Sequence, residues 1–210
     1  MYVPPAFKTT DDDAWAFVRA RAFGTLIAVS GGRPEAAHVP FVVDRTPTGD
    51  RIALHVARAN PIHTIVAAAP DVLMTVAGPD AYVSPDWYAS HDQVPTWNYV
   101  AAHLSGRARI LDAAETERQV EQLSDQFEER LLPKPPWRMA KLTAARKAMM
   151  LSAIVGIEIA VSAIEATRKL SQNKGEADRA GVTRMLAWQG DWSALAVSEM
   201  MRKRGSRPAP

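Results

Sequence analysis

From Thr96 to Leu111 the chain alternates without a break, and that alternation narrows the folds open to it more than any other feature. Trp97, Tyr99, Ala101, His103, Ser105, Arg107 and Arg109 fall on one side, and Asn98, Val100, Ala102, Leu104, Ala108 and Ile110 on the other. A period of two belongs to a strand, and strands commonly end by about 10 residues. One this long fits a strand that closes a barrel.

The rest of the chain supplies partners for it. Thr10 and Asp11 to Asp13 offer a cap and first-turn acids to a short helix. Phe23 to Ser30 reads as a strand, Gly31-Gly32-Arg33-Pro34 as a turn and Glu35 to Asp44 as the return strand. A second turn at Thr46 to Asp50 leads into a strand at Arg51 to Ala57. Asn60-Pro61 opens a short helix through Ala68, and Val72 to Ala77 returns to strand character. Gly78 to Pro95, with three prolines, reads as a long functional loop. After the long strand, Asp112 and Glu115 form a capping box for a helix carrying Val120, Leu123, Phe127 and Leu131. Pro133-Lys-Pro-Pro136 ends it, Trp137 to Met150 reads as a second helix, and Ile157 to Ile164 alternates as a last strand. Helical spacing resumes at Glu176. These elements predict a mainly β, α+β fold: a small antiparallel barrel with peripheral helices. With no repeat and no linker, residues 1–201 are expected to form one domain.

Charge is uneven along the 210 residues. Lys and Arg exceed Asp and Glu by 25 to 23, yet Arg202, Lys203, Arg204 and Arg207 lie in the last nine residues, which hold no acid. Residues 1–201 are therefore net acidic, which argues against a phosphate-tracking surface over the whole domain. Residues 202–210, rich in Gly, Ser and Pro, read as a flexible basic tail and a candidate for DNA contact, beside a second helix made basic by Arg138, Lys141, Arg146 and Lys147, which a solvated face also explains. The chain has no cysteine, so disulfides and thiolate metal sites are excluded, and a reducing cytoplasm fits. The start carries no secretory pattern, and Glu158 interrupts the most apolar window, which is shorter than the ~20 residues of a membrane helix.

The five histidines have no metal-ligand spacing, so no metal site is expected. Gly-x-Ser-x-Gly, Walker and Gly-x-Gly-x-x-Gly patterns are missing. Polar and aromatic segments at strand ends carry the better signal. His38-Val-Pro40-Phe41 lies on the second strand. His55-Val-Ala-Arg58-Ala-Asn60-Pro61 ends the third strand and opens a helix, where Arg58, Asn60 and unbonded amides would suit a phosphate. Asn60 can equally be a simple cap. Thr96-Trp97-Asn98-Tyr99 pairs an indole wall with an amide, which suits a planar heterocycle. Trp97 as plain core and Asn98 as a satisfied buried amide are the alternative.

Together, His55-Val-Ala-Arg-Ala-Asn-Pro61, Tyr82-Val-Ser-Pro-Asp-Trp-Tyr88, Val94-Pro-Thr-Trp-Asn-Tyr99, Ala153-Ile-Val-Gly156 and Lys169-Leu-Ser-Gln-Asn-Lys174 resemble the signature segments of the PaiB-like, FMN-binding negative transcriptional regulator family. The opening Met1-Tyr-Val-Pro4 fits as well. The resemblance implies a split β-barrel of the pyridoxamine-phosphate-oxidase type and a homodimer with FMN near the subunit interface. An FMN phosphate would then take Arg58 as first choice and Asn60 or Lys169 as second. Pro40, Phe41 or Trp97 would face the flavin ring, and Asn98 or Gln172 its pyrimidine edge, with His38, His55 and Thr96 beside them. An FMN-dependent oxidoreductase is the alternative function, with His38, His55 and Tyr82 as candidate proton donors and no catalytic residue assigned. A haem-binding barrel is a third.

Overall fold

The alternating stretch forms one strand over Thr96–Ile110, and five others join it. The computed structural model describes residues 1–205, with side chains through Lys203. Its strands are β1 (Phe23–Ser30), β2 (Arg33–Thr46), β3 (Gly49–Ala57), β4 (Asp71–Val83), β5 (Thr96–Ile110) and β6 (Ile154–Lys169). They close an antiparallel barrel in the order β1-β2-β3-β6-β5-β4. The helices are α1 (Asp11–Arg21), α2 (Ile62–Ala68), α3 (Ala113–Glu129), α4 (Ala144–Ser152), α5 (Glu176–Gln189) and α6 (Trp192–Gly205). This is the α+β split barrel that the strand pattern and the family resemblance predict.

The chain divides into two compact units built from separate segments. One comprises Trp15–Val76 and His103–Ile164 and contains β1, β2 and β3 with the adjoining lengths of β4, β5 and β6. Its register is set by the hairpin at Gly31-Gly32, whose φ values of 55° and 78° lie in the left-handed region that glycine adopts without strain. Leu26 thereby pairs with Ala37, and the next turn, closed by the Thr46–Gly49 pair, sets Phe41 against Leu54. Leu26, Phe41, Ile52, Leu54, Leu104, Ile157 and Ile159 are fully buried, each contributing about 1.5–3 kcal/mol of apolar burial. The other unit comprises Met1–Ala14, Ala77–Ala102 and the segment from Glu165. Val83, Val100, Leu170, Val182, Leu186, Ala194 and Val197 form its core.

Three expectations are corrected. The loop placed at Gly78 to Pro95 is shorter, because β4 continues to Val83 and a 3-10 turn follows at Pro85–Trp87. Gly78-Pro79 does not break the strand: the Asp80 amide donates to Ser193 Oγ at 2.9 Å, and that hydroxyl donates back to the Asp80 carbonyl. The helix placed at Trp137 begins only at Ala144, capped by Thr143. The Trp137 amide instead donates to Glu128 Oε2 at 2.7 Å, tying this segment to the end of α3. The basic stretch placed in a flexible tail from Arg202 is helical through Gly205. Buried Met201 anchors it, and Glu199 pairs with Arg202 and Lys203 at helical spacing. The rest of that tail, 206–210, lies outside the described residues.

Candidate functional site

In the unit that contains the start of β5, the alternation turns Thr96 and Asn98 inward and leaves Trp97 half exposed, its indole edge-on to Tyr82 with ring centroids 6.1 Å apart. The end of β6 comes alongside. Lys169 closes that strand, Leu170 is buried, and Ser171 takes a left-handed backbone with φ 56°. A buried, non-glycine residue held there stores strain, a feature that clusters at binding sites. Gln172 secures the bend, accepting from the Leu170 amide and donating to the Arg168 carbonyl.

These segments surround a cavity of about 250 Å³ lined by Phe7, Tyr88, Val94, Thr96, Asn98, Lys169, Ser171, Asn173 and Lys174. Asn98 is fully buried: its Nδ2 donates to Ser171 Oγ at 2.9 Å, and the Ser171 hydroxyl lies 3.2 Å from its Oδ1. Lys169 Nζ donates to Thr96 Oγ1 and sits 5.8 Å from the Phe7 ring centroid, and burial holds its pKa below the ordinary lysine value. Lys174 Nζ donates to Gln93 Oε1 and lies 5.2 Å over the Tyr88 ring. Burial raises the Tyr88 pKa, the Asp178 carboxylate adds to the rise, and a hydrogen bond with Ser171 opposes it. No carboxylate lines the cavity. Two ammonium groups, three hydroxyls and two amides therefore face a space that favours an anion.

The lip of this cavity is tethered rather than loose. Asp178 in the first turn of α5 accepts from Ser90 N at 2.9 Å and Ser90 Oγ at 2.8 Å, and the Ser90 amide is the main cause of its lowered pKa. Gly181 lets α5 approach the turn before this loop: a Cβ there would fall 2.2 Å from the Trp87 carbonyl oxygen.

His38, Pro40, His55, Arg58 and Asn60 belong to the other unit. Arg58 Nε and Nη2 donate to the carbonyls of Ser152 and Ile154 at 2.7 and 2.8 Å, so the guanidinium caps the end of α4. Asn60 Oδ1 accepts from the Ile62 amide, the capping role raised as its alternative. His55 Nδ1 lies 2.9 Å from Gln119 Oε1, and His38 Nδ1 lies 2.9 Å from Thr25 Oγ1 on the paired strand. Pro40 pairs with Phe23. Thus Thr96, Asn98 and Lys169 share one cavity, Gln172 shapes its edge, and Trp97 points away from that strand's buried face. Sequence reasoning missed Phe7, Tyr88, Ser171, Asn173 and Lys174 as lining residues. Tyr88, Ser171, Asn173 and Lys174 stand inside the quoted motifs, whereas nothing local marks Phe7.

The lining fits the phosphate end of FMN. Whole cofactors of that size usually occupy pockets of about 300–1,000 Å³, so about 250 Å³ suits the phosphate and part of the chain attached to it. Among the described residues, no three His, Asp or Glu side chains converge as metal ligands would, and no helix is long and apolar enough to cross a membrane.

The family model described as "Putative FMN-binding domain" matches residues 1–163. A Bacillus subtilis protein named Protease synthase and sporulation protein PAI 2 is 34% identical over 205 residues, covering 97% of this chain and 98% of that one. Among solved structures, the flavocytochrome Anf3 from Azotobacter vinelandii superposes with a TM-score of 0.55 at 19% identity, covering 81% of this chain and 73% of that one. The FAD and heme binding protein from Mycobacterium smegmatis gives 0.55 at 17% identity, covering 77% and 72%. At these identities the two structures bear on the fold.

Proposed function

The chain belongs to this FMN-binding family, and we propose that it is a cytoplasmic, homodimeric regulator of PaiB type that holds the FMN phosphate in the Lys169–Lys174 cavity. The observation that carries the assignment is the donor set: two lysines with hydroxyl and amide partners, and no lining carboxylate. When bound, FMN supplies one- and two-electron redox chemistry. Lys169 and Lys174 would balance the dianionic phosphate, and Thr96 and Asn173 would donate to its oxygens. The buried Asn98–Ser171 pair keeps the Ser171 hydroxyl oriented. Trp97, about half exposed, offers an indole face to a flavin ring or to a second copy of the chain. Support for the regulatory part of the reading is the likeness, over nearly its full length, to the Bacillus relative named Protease synthase and sporulation protein PAI 2.

Titration with FMN and with riboflavin, followed by visible absorbance, tests the phosphate assignment. The Lys169→Gln/Lys174→Gln double variant should bind FMN at least about tenfold more weakly while its riboflavin affinity stays near that of the parent. Equal losses for the two flavins, or no flavin binding by the parent, would refute the assignment. The pH response has a definite sign. Lys169 loses its proton below the usual lysine range, so FMN affinity should fall as pH rises through that lowered value, and Lys169→Gln should flatten the fall.

A further inference from the structure

We infer that the groove between α5 and α6 is a docking surface for the phosphate backbone of duplex DNA. The inference rests on the regulator reading and assigns it a surface. The two helices form a hairpin about a left-handed Gly190, and Val182, Leu186, Ala194 and Val197 are fully buried along their seam. Beside the seam lies an open groove of about 500 Å³ in which Arg179, Arg184 and Arg202 face a single acid, Glu176, across the small side chains of Ala180 and Ala187. Small residues between arginines leave room for something to enter, whereas a merely solvated face needs no concavity.

Arg202 is shared with Glu199 at 3.8 Å, the other two cations of the groove are available, and the frame that holds them is rigid. Arg179 and Arg184 make no ion pair among the described residues. Arg202 Nη2 donates to Ser198 Oγ at 3.1 Å, and that buried hydroxyl donates to the Thr183 carbonyl at 2.8 Å, so the third arginine is tied to both helices. Asp178, a further acid on α5, is engaged by Ser90. The surrounding sequence is net acidic, so this basic groove is a local concentration rather than part of a general surface. Each 14-residue helix spans about 21 Å, roughly the rise of six base pairs, long enough for three guanidinium groups to meet successive phosphates. Backbone contacts of this kind position a protein on DNA without reading sequence.

Fluorescence anisotropy with a labelled, mixed-sequence 30-base-pair duplex and the FMN-loaded full chain decides the matter. Between 50 and 200 mM salt the parent should lose affinity steeply. The Arg179→Gln/Arg184→Gln variant should bind at least about tenfold more weakly at 50 mM, with a log–log salt slope shallower by about 2. Should that variant melt earlier than the parent, Arg184→Gln alone, an exposed change, should lower the slope by about 1. Parent-like affinity and slope in both variants would overturn the groove while leaving the regulator reading standing, since DNA would then be held elsewhere. No parent binding at 50 mM would bring down both. Competition by micromolar dAMP would make the groove a small-molecule site and would also overturn the inference.

Discussion

A buried asparagine carries two amide hydrogens and a carbonyl oxygen that water cannot serve, and Asn98 meets that demand through Ser171, 73 residues away, and the Met201 sulfur. Asn98→Ala should leave the Ser171 hydroxyl with less support and open a small void, costing about 2–3 kcal/mol. Urea unfolding would register this as a lower midpoint with an unchanged slope. An unfolding free energy within about 0.5 kcal/mol of the parent would mean that water replaces the pair. The sequence already offered a satisfied amide as one reading of Asn98, because that residue stands on the apolar side of a long alternating strand. It could not say that the partner is a serine in a left-handed conformation, since Ser171 has no local mark of its backbone state. Arg58 shows the reverse: its type suits a phosphate, yet its donors go to the carbonyls of Ser152 and Ile154.

Elements were legible to the extent that their signals are local. All six strands and the capping box of α3 follow from local signals, namely alternation, strand-forming residues between turns, and the Asp112–Glu115 spacing, because strand period, turns and capping act over a few residues. Glu115 has a second task that only tertiary structure reveals. Besides accepting from the Asp112 amide it takes two hydrogen bonds from Arg109, at 2.8 and 2.9 Å, and Arg109 also reaches Glu158. Arg109 first, then the Asp112 amide, lower the Glu115 pKa from 4.5 to about 2. A carboxylate with a depressed folded-state pKa adds stability above its unfolded value and loses it as pH falls through the folded one. Stability should therefore drop between about pH 4.5 and pH 2, and Glu115→Gln should flatten that part of the profile. Acid titration monitored by circular dichroism would check this, and identical slopes in the two proteins would refute it.

At the scale of the whole molecule, ligand linkage ties the site to stability. FMN at one hundred times its Kd should stabilise the folded state by about 2.7 kcal/mol, which for a chain of this size raises Tm by roughly 5 °C or more. Calorimetry should give a smaller rise for riboflavin at the same concentration, because the phosphate has no counterpart there. Equal shifts would separate the cavity from the cofactor. What the sequence alone determined is the set of local periods: six strands, capped helices, a cysteine-free chain and a slightly acidic body followed by a short basic end. What only the tertiary structure decided is which donors remain available for a ligand. Lys169 and Lys174 came to line one cavity with Tyr88 and Thr96, and Arg202 became part of a helical groove. The physical reason is that hydrogen-bond partners and desolvation come from segments many tens of residues apart, and no short-range pattern records them.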